Sequence, residues 1–174
     1  NTTNLTVTAA VPTIAKAFAP ATIAADGTST VTFTITNTNG VPLTQGIFID
    51  PLVNMAIAAN GAAGGTCTGA GTNNFTAGQT ALSFSGLTIP ANGSCTVTVV
   101  VTSDIPGTNP NTTSALTTTQ APASAVSNTA NLTVTAAVPT IAKAFAPATI
   151  AADGTSTVTL TIANTNGVAL TGAG

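Results

Sequence analysis

Lys16, Asn128 and Asp50 are the residues whose types and positions could do chemistry. Lys16 lies in the segment Thr13 to Phe18 and shares its alternation with Ile14 and Phe18. A strand that turns those apolar groups inward therefore turns the amine inward as well. A buried ammonium without a partner is costly enough that the group gives up its proton instead. Asn128 raises the same question near the far end of the unit, because it shares parity with Val126, Ala130, Leu132 and Val134. A neutral Lys16 amine attacking the Asn128 carboxamide, with a protonated Asp50 polarising the carbonyl and shuttling protons, would form an internal isopeptide bond and expel ammonia. The competing reading is structural: Lys16 snorkels out beside Pro12 or Pro20, Asn128 is a satisfied bulge or turn residue, and Asp50 caps a strand before Pro51. The parity of Asp50 is ambiguous, since Ile47, Phe48 and Ile49 before it are all apolar.

Composition removes most other chemistry. The chain of 174 residues has 3% charged residues, no His, no Trp and no Tyr, two Cys, one Met and a net charge of -2. Two lysines without arginine cannot build the basic stripe that neutralises phosphates, so a nucleic-acid partner is excluded. With no His, neither Ser-His nor Cys-His nucleophilic catalysis is available, and a transition-metal site has almost no ligands to draw on. The four Asp residues are scattered, and Asp26 and Asp153 precede Gly as turn formers, so a calcium site is not expected either. No enzyme activity, metal or cofactor is expected, and any covalent step would be one self-reaction without turnover.

The low charge with 44% hydrophobic residues raises the question of a membrane span. The longest apolar stretch, Ala9 to Ala25, contains Lys16, Pro12 and Pro20, which rules out a spanning helix and gives no expectation of membrane insertion. Disorder is not expected either, because disordered chains are short of apolar residues and rich in charge.

The elements that must position these residues are strands. The 39 threonines alternate with apolar residues in runs such as Thr30 to Thr36 and Cys95 to Thr102, the period of half-buried strands. Strands are expected at Thr13 to Phe18, Ser29 to Asn37, Gly46 to Asp50, Met55 to Ala59, Thr80 to Ser85, Ser94 to Thr102, Thr112 to Thr119 and Ala125 to Ala136. A Gly-rich excursion from Asn60 to Gly78 interrupts them. No segment carries a helical period. This spacing is expected of an all-β, immunoglobulin-like antiparallel sandwich, with a closed barrel as the alternative.

Residues 1–47 recur as residues 128–174, shifted by 127 positions with seven differences. A period that long gives each repeat its own domain. The expected division is residues 1–10 as the last strand of a preceding repeat, 11–137 as one complete unit, and 138–174 as the first strands of a following one. The sequence thus reads as a window on a longer tandem array.

The order PTIAKAFAP, STVTFTITNTNG, IFIDPL, IPANGSCTVTVVVTS and VSNTANLTVT resembles the bacterial surface repeats of the "domain of unknown function eleven" type. The similarity covers the whole unit and departs from the usual pattern where Pro51-Leu52 follows Asp50 directly, without an intervening Thr. The resemblance implies Ig-like modules strung in tandem in very large secreted proteins, with a stalk, adhesin or fibre role and no named ligand. Pilin and adhesin domains that the unit resembles use a Lys, Asn and acid set of the kind raised above. In a secreted chain, Cys67 and Cys95 are expected to form a disulfide; two free buried thiols are the alternative.

The functional expectation is a structural repeat module of an extracellular or cell-surface filament. Its partners would be neighbouring repeats of the same or identical chains, because a surface nearly without charge offers little repulsion. Competing readings are an adhesive glycan-binding repeat, disfavoured by a lack of exposed aromatic rings, and an ice-binding Thr grid, which needs an untwisted sheet. The sequons at Asn4, Asn74, Asn92 and Asn111 carry little weight in a chain this rich in Thr.

Overall fold

The computed structural model describes residues 8–171, so most of the expected strand at residues 1–10 lies outside the described residues. In chain order the first strands are β1 (Thr13–Ala19), β2 (Thr22–Ala24), β3 (Thr28–Asn37) and β4 (Leu43–Pro51). After β5 (Ala56–Ile57) the excursion contributes three two-residue strands, β6 (Gly61–Ala62), β7 (Gly64–Gly65) and β8 (Asn74–Phe75), with a 3-10 turn at Ala70–Thr72. Then come β9 (Ala81–Ile89), β10 (Gly93–Thr102), β11 (Gly107–Asn111), β12 (Ala130–Thr135), β13 (Thr140–Ala146) and β14 (Thr157–Ala163).

One sheet has the order β1-β3-β10-β5, with β7 also on β10. A second pairs β4 with β9, and a third has the order β11-β12-β2, in which β2 runs parallel to β12. The architecture is a β-sandwich without a closed barrel. Alternation dictates which side chains enter it: Val31, Phe33 and Ile35 from β3 and Cys95, Val97, Val99 and Val101 from β10 are buried, while the threonines between them line the half-exposed outer face. Phe33 meets the opposite sheet edge-on, 5.1 Å from the Phe48 ring and 5.5 Å from the Phe84 ring, and those two stack at 4.6 Å. Such aromatic pairs contribute beyond their buried area.

Two expected strands are corrected. Residues 112–119 run beside β4 through reciprocal bonds between Ile47 and Thr117, each 3.0 Å, but form only an isolated bridge. Hydroxyls take the amides that a ladder would need: Ser124 Oγ accepts from Leu116 N at 2.9 Å and Ser127 Oγ from Thr113 N at 3.1 Å. For the same reason the last strand of the unit starts at Ala130 and not at Ala125.

In β4 the register slips twice between Leu43 and Phe48. This bulge lets Leu43 and Phe48, an odd number of residues apart, both face inward. It also settles Asp50, which is buried with Phe48 while Ile47 and Ile49 face out.

Candidate functional site

Lys16 points inward from the middle of β1, as its alternation with Ile14 and Phe18 requires, and the residue is only 4% exposed. Its Nζ donates to Asp50 Oδ2 at 2.6 Å, and both side chains are 0% exposed. The ammonium also lies 5.2 Å from the Phe18 ring centre and 5.3 Å from that of Phe33, where the ring faces favour positive charge. This is a lone ion pair sealed in an aromatic and aliphatic core. Desolvation on that scale rivals or exceeds the attraction between the charges. Burial accordingly pushes the Lys16 ammonium below the ordinary lysine range, against the pull of Asp50. Burial likewise raises the Asp50 carboxyl above the ordinary aspartate range, against the attraction and hydrogen bond of Lys16 and the nearby amide of Asn111. Both shifts favour the neutral forms, amine and carboxylic acid.

Asn128 is elsewhere. It is exposed, as is Val126, and its carboxamide bridges the main chain of Lys16. Oδ1 accepts from Lys16 N at 2.8 Å and Nδ2 donates to Lys16 O at 3.0 Å. The inward parity expected of Asn128 does not hold, because residues 125–129 are not in a strand and alternation lapses there. Asn128 instead acts as a side-chain rung that continues the pairing of β1 beyond its partner strand.

The asparagine that reaches Asp50 is Asn111, at the end of β11, buried on the same face as Asn109. Its Nδ2 donates to the Pro51 carbonyl next to Asp50. A carbonyl can only accept, which fixes which end of the amide is nitrogen. Held on the carbonyl of the adjacent residue, the Asn111 amide opposes the rise that burial gives the Asp50 carboxyl. Its hydrogen bond goes to Pro51 and not to Asp50, and Asp50 Oδ1 and Asn111 Oδ1 are buried oxygens with no hydrogen-bond partner. Buried polar atoms left in this state are uncommon and call for a reason. Asn109 shows the contrast: its amide is fully used, accepting from Asn54 at 3.0 Å and donating to Ile105 O at 3.2 Å.

Asn111 shows no phase in the sequence because Gly107–Asn111 holds no aliphatic or aromatic side chain to reveal it. The only signal was Pro110, which suits an edge strand.

Cys67 and Cys95 are joined by a disulfide, with Cα atoms 4.8 Å apart and a sequence separation of 28. It fastens the Gly-rich excursion to β10. Gly65 pairs with Val97 at φ 112°, and a Cβ there would meet the Thr96 carbonyl, so only glycine fits this approach.

A second constellation is built on the two Asn-Thr-Asn-Gly turns. Asn39, in the Asn-Thr-Asn-Gly turn after β3, accepts from Ala10 N at 2.7 Å and donates to Ala10 O at 2.9 Å. The copy 127 residues later repeats this: Asn166 accepts from Ala137 N at 2.6 Å and donates to Ala137 O at 3.0 Å. Gly167 N adds a bond to Asp104 O at 2.9 Å, which ties the turn after β14 to the sandwich.

No curated protein matches the chain. The family DUF7933, described as a domain of unknown function, matches residues 12–134, a stretch that contains Lys16, Asp50, Asn111 and both cysteines. With well over half of its length matched, the chain belongs to the DUF7933 family.

Proposed function

We propose that this chain is a structural repeat module: an immunoglobulin-like unit of a tandem array that forms the stalk or filament of a large bacterial extracellular protein. The observation that carries the reading is the repeated Asn clamp. Asn39 and Asn166 each hold the main chain of the residue that leads into the next hairpin, Ala10 and Ala137, with two hydrogen bonds. Only residues 136–139 separate β12 from β13, with no Gly or Ser among them. A clamp of that kind serves to hold successive units in a fixed relation.

The β13–β14 hairpin supports the same reading. Ile141, Phe145, Val158, Leu160 and Ile162 are exposed, whereas their counterparts Ile14, Phe18, Val31, Phe33 and Ile35 form the core of the first unit. In an array, the remaining strands of the second unit cover that face. The disulfide is compatible with an oxidising extracellular setting, and no helix among the described residues is long and apolar enough to cross a membrane. Small-angle scattering from a three-repeat protein tests the proposal: an extended rod is expected, and a compact globular profile would sink it.

A further inference from the structure

We propose that Lys16 and Asn111 become joined by an intramolecular isopeptide bond, with Asp50 as the proton relay between them. The inference stands apart from the stalk reading, since it concerns one unit and is read out on a single chain. Its first support is placement. Asp50 Oδ2 accepts from Lys16 Nζ at 2.6 Å, and the Asn111 amide lies beside the next residue of the same strand. The amide is in turn held by the Pro51 carbonyl. The three side chains come from β1, β4 and β11, three separate strands of the closed core, so their proximity is fixed by the fold. Fixed proximity is what turns a sluggish aminolysis into an effectively unimolecular step.

The second support is the pair of orphaned oxygens. As a plain ion pair, the site leaves Asp50 Oδ1 and Asn111 Oδ1 buried without partners, a costly state with no structural gain. As a reaction site the same arrangement has a purpose. A carboxylic acid at Asp50 has a proton to offer the Asn111 amide, and an unsolvated amine at Lys16 has a free lone pair.

The step balances within these three residues. Lys16 Nζ attacks Asn111 Cγ, and the Nζ–Cγ bond forms. Asp50 takes a proton from Nζ and delivers one to Nδ2. The Cγ–Nδ2 bond breaks, ammonia leaves, and Asp50 returns to its starting form. No oxidant, metal or further reactant enters. The product replaces a buried ammonium with a neutral amide whose N–H lies beside Asp50, which removes the desolvation cost of the lysine charge.

The sequence supplies a direct readout. The chain has two lysines, Lys16 and Lys143, and no arginine, so trypsin has two places to cut. Lys143 lies on an exposed strand, and among the described residues no ion pair involves it. It therefore serves as an internal control. The purified 174-residue chain, denatured and reduced, is expected to weigh about 17 Da less than its sequence mass, the ammonia lost in aminolysis. Trypsin should cut it after Lys143 and leave Lys16 intact. Further digestion of the fragment with a non-specific protease, followed by tandem mass spectrometry, should yield a branched peptide that joins Lys16 to Asn111. The Asn128→Ala chain should keep the deficit, while Asn111→Ala and Asp50→Ala should show the full mass and cleavage at Lys16. Full mass with cleavage at Lys16 in the wild-type chain would overturn the proposal. So would a branch that maps to Asn128, a result that does not depend on whether any variant folds.

Discussion

Lys16 shows how far alternation alone can carry a residue-level reading. Its phase with Ile14 and Phe18 placed the amine in the core, and there it is. The acid partner was visible only as a candidate, because three apolar neighbours hid its phase until the β4 bulge resolved it. The inward phase expected of Asn128 fails, because parity counted back from Leu132 lapses once the backbone leaves the strand before Ala130, and the buried Asn111 has no aliphatic or aromatic neighbour in its own strand to mark it. The sealed pair makes two stability predictions. In the Asn111→Ala chain, where the pair stays ionic, Lys16→Met strands a buried carboxyl in the core, and breaking a buried pair in this way typically costs about 3–5 kcal/mol. Adding Asp50→Leu should recover most of that loss in urea denaturation, and a double variant no more stable than the single one would count against the pair's being held at a desolvation cost. The second prediction concerns pH in the Asn111→Ala chain, where no amide is available to join. The folded Asp50 carboxyl titrates above its ordinary value of 3.8, so the folded state binds more protons than the unfolded one just above that value and stability falls as pH rises through the window. The folded Lys16 titrates below its ordinary value of 10.5, so the folded state binds fewer protons there and stability climbs as pH approaches 10.5. Denaturation midpoints should therefore pass through a minimum between the two windows. A wild-type chain joined as proposed should lack the alkaline rise.

At the scale of elements, strands whose threonines alternate with apolar residues were legible, and the rest were not. β1, β3 and β10 fall within a residue or so of their expected bounds, because a β-branched residue on one face and an aliphatic one on the other fix both conformation and phase. β2 and β11 were missed, the first for its three-residue length and the second for its lack of aliphatic or aromatic residues. Residues 112–119 have the right composition for a strand, but the Ser124 and Ser127 hydroxyls draw off their amides. The excursion between β5 and β9 could be read only as Gly-rich. Its fold depends on the close approach at Gly65 and on the disulfide, which anchors it from Cys67 to Cys95. Loop-closure entropy over that span corresponds to about 3.5 kcal/mol. The Cys67→Ser/Cys95→Ser chain should lose roughly this much in denaturant titration. Amide exchange should speed up chiefly in residues 60–78, while β3 and β10 keep their protection. A loss spread evenly over the sandwich would show that the bridge supports the whole core and not this segment.

For the whole molecule, the question is how one unit transmits its orientation to the next. Repetition at 127 residues could be read from the sequence, and so could the lack of a flexible linker, but the clamp could not. Nothing in Asn-Thr-Asn-Gly says that its second asparagine will grip the main chain 29 residues earlier. In the turn, Asn37 bonds the carbonyls of Val41 and Pro90 at 2.9 and 3.0 Å and receives Asn39 N at 2.9 Å, so Asn39 is held in place before it binds Ala10. The preorganised carboxamide matches both polar groups of one peptide residue, a geometry that serine or alanine cannot reproduce. The proposed rod should soften when the clamp is removed and nothing else is changed. In a three-repeat protein, Asn→Ala at every position equivalent to Asn39 and Asn166 should leave each unit's melting temperature nearly unchanged, since Asn39 lies at the edge of the core and Asn166 outside the first unit. The scattering-derived maximum dimension should shrink as the units begin to bend about residues 136–139. An unchanged maximum dimension would mean that orientation is held by the Gly167 to Asp104 contact or by the four-residue connection itself, and the clamp would then be a local feature of the turn.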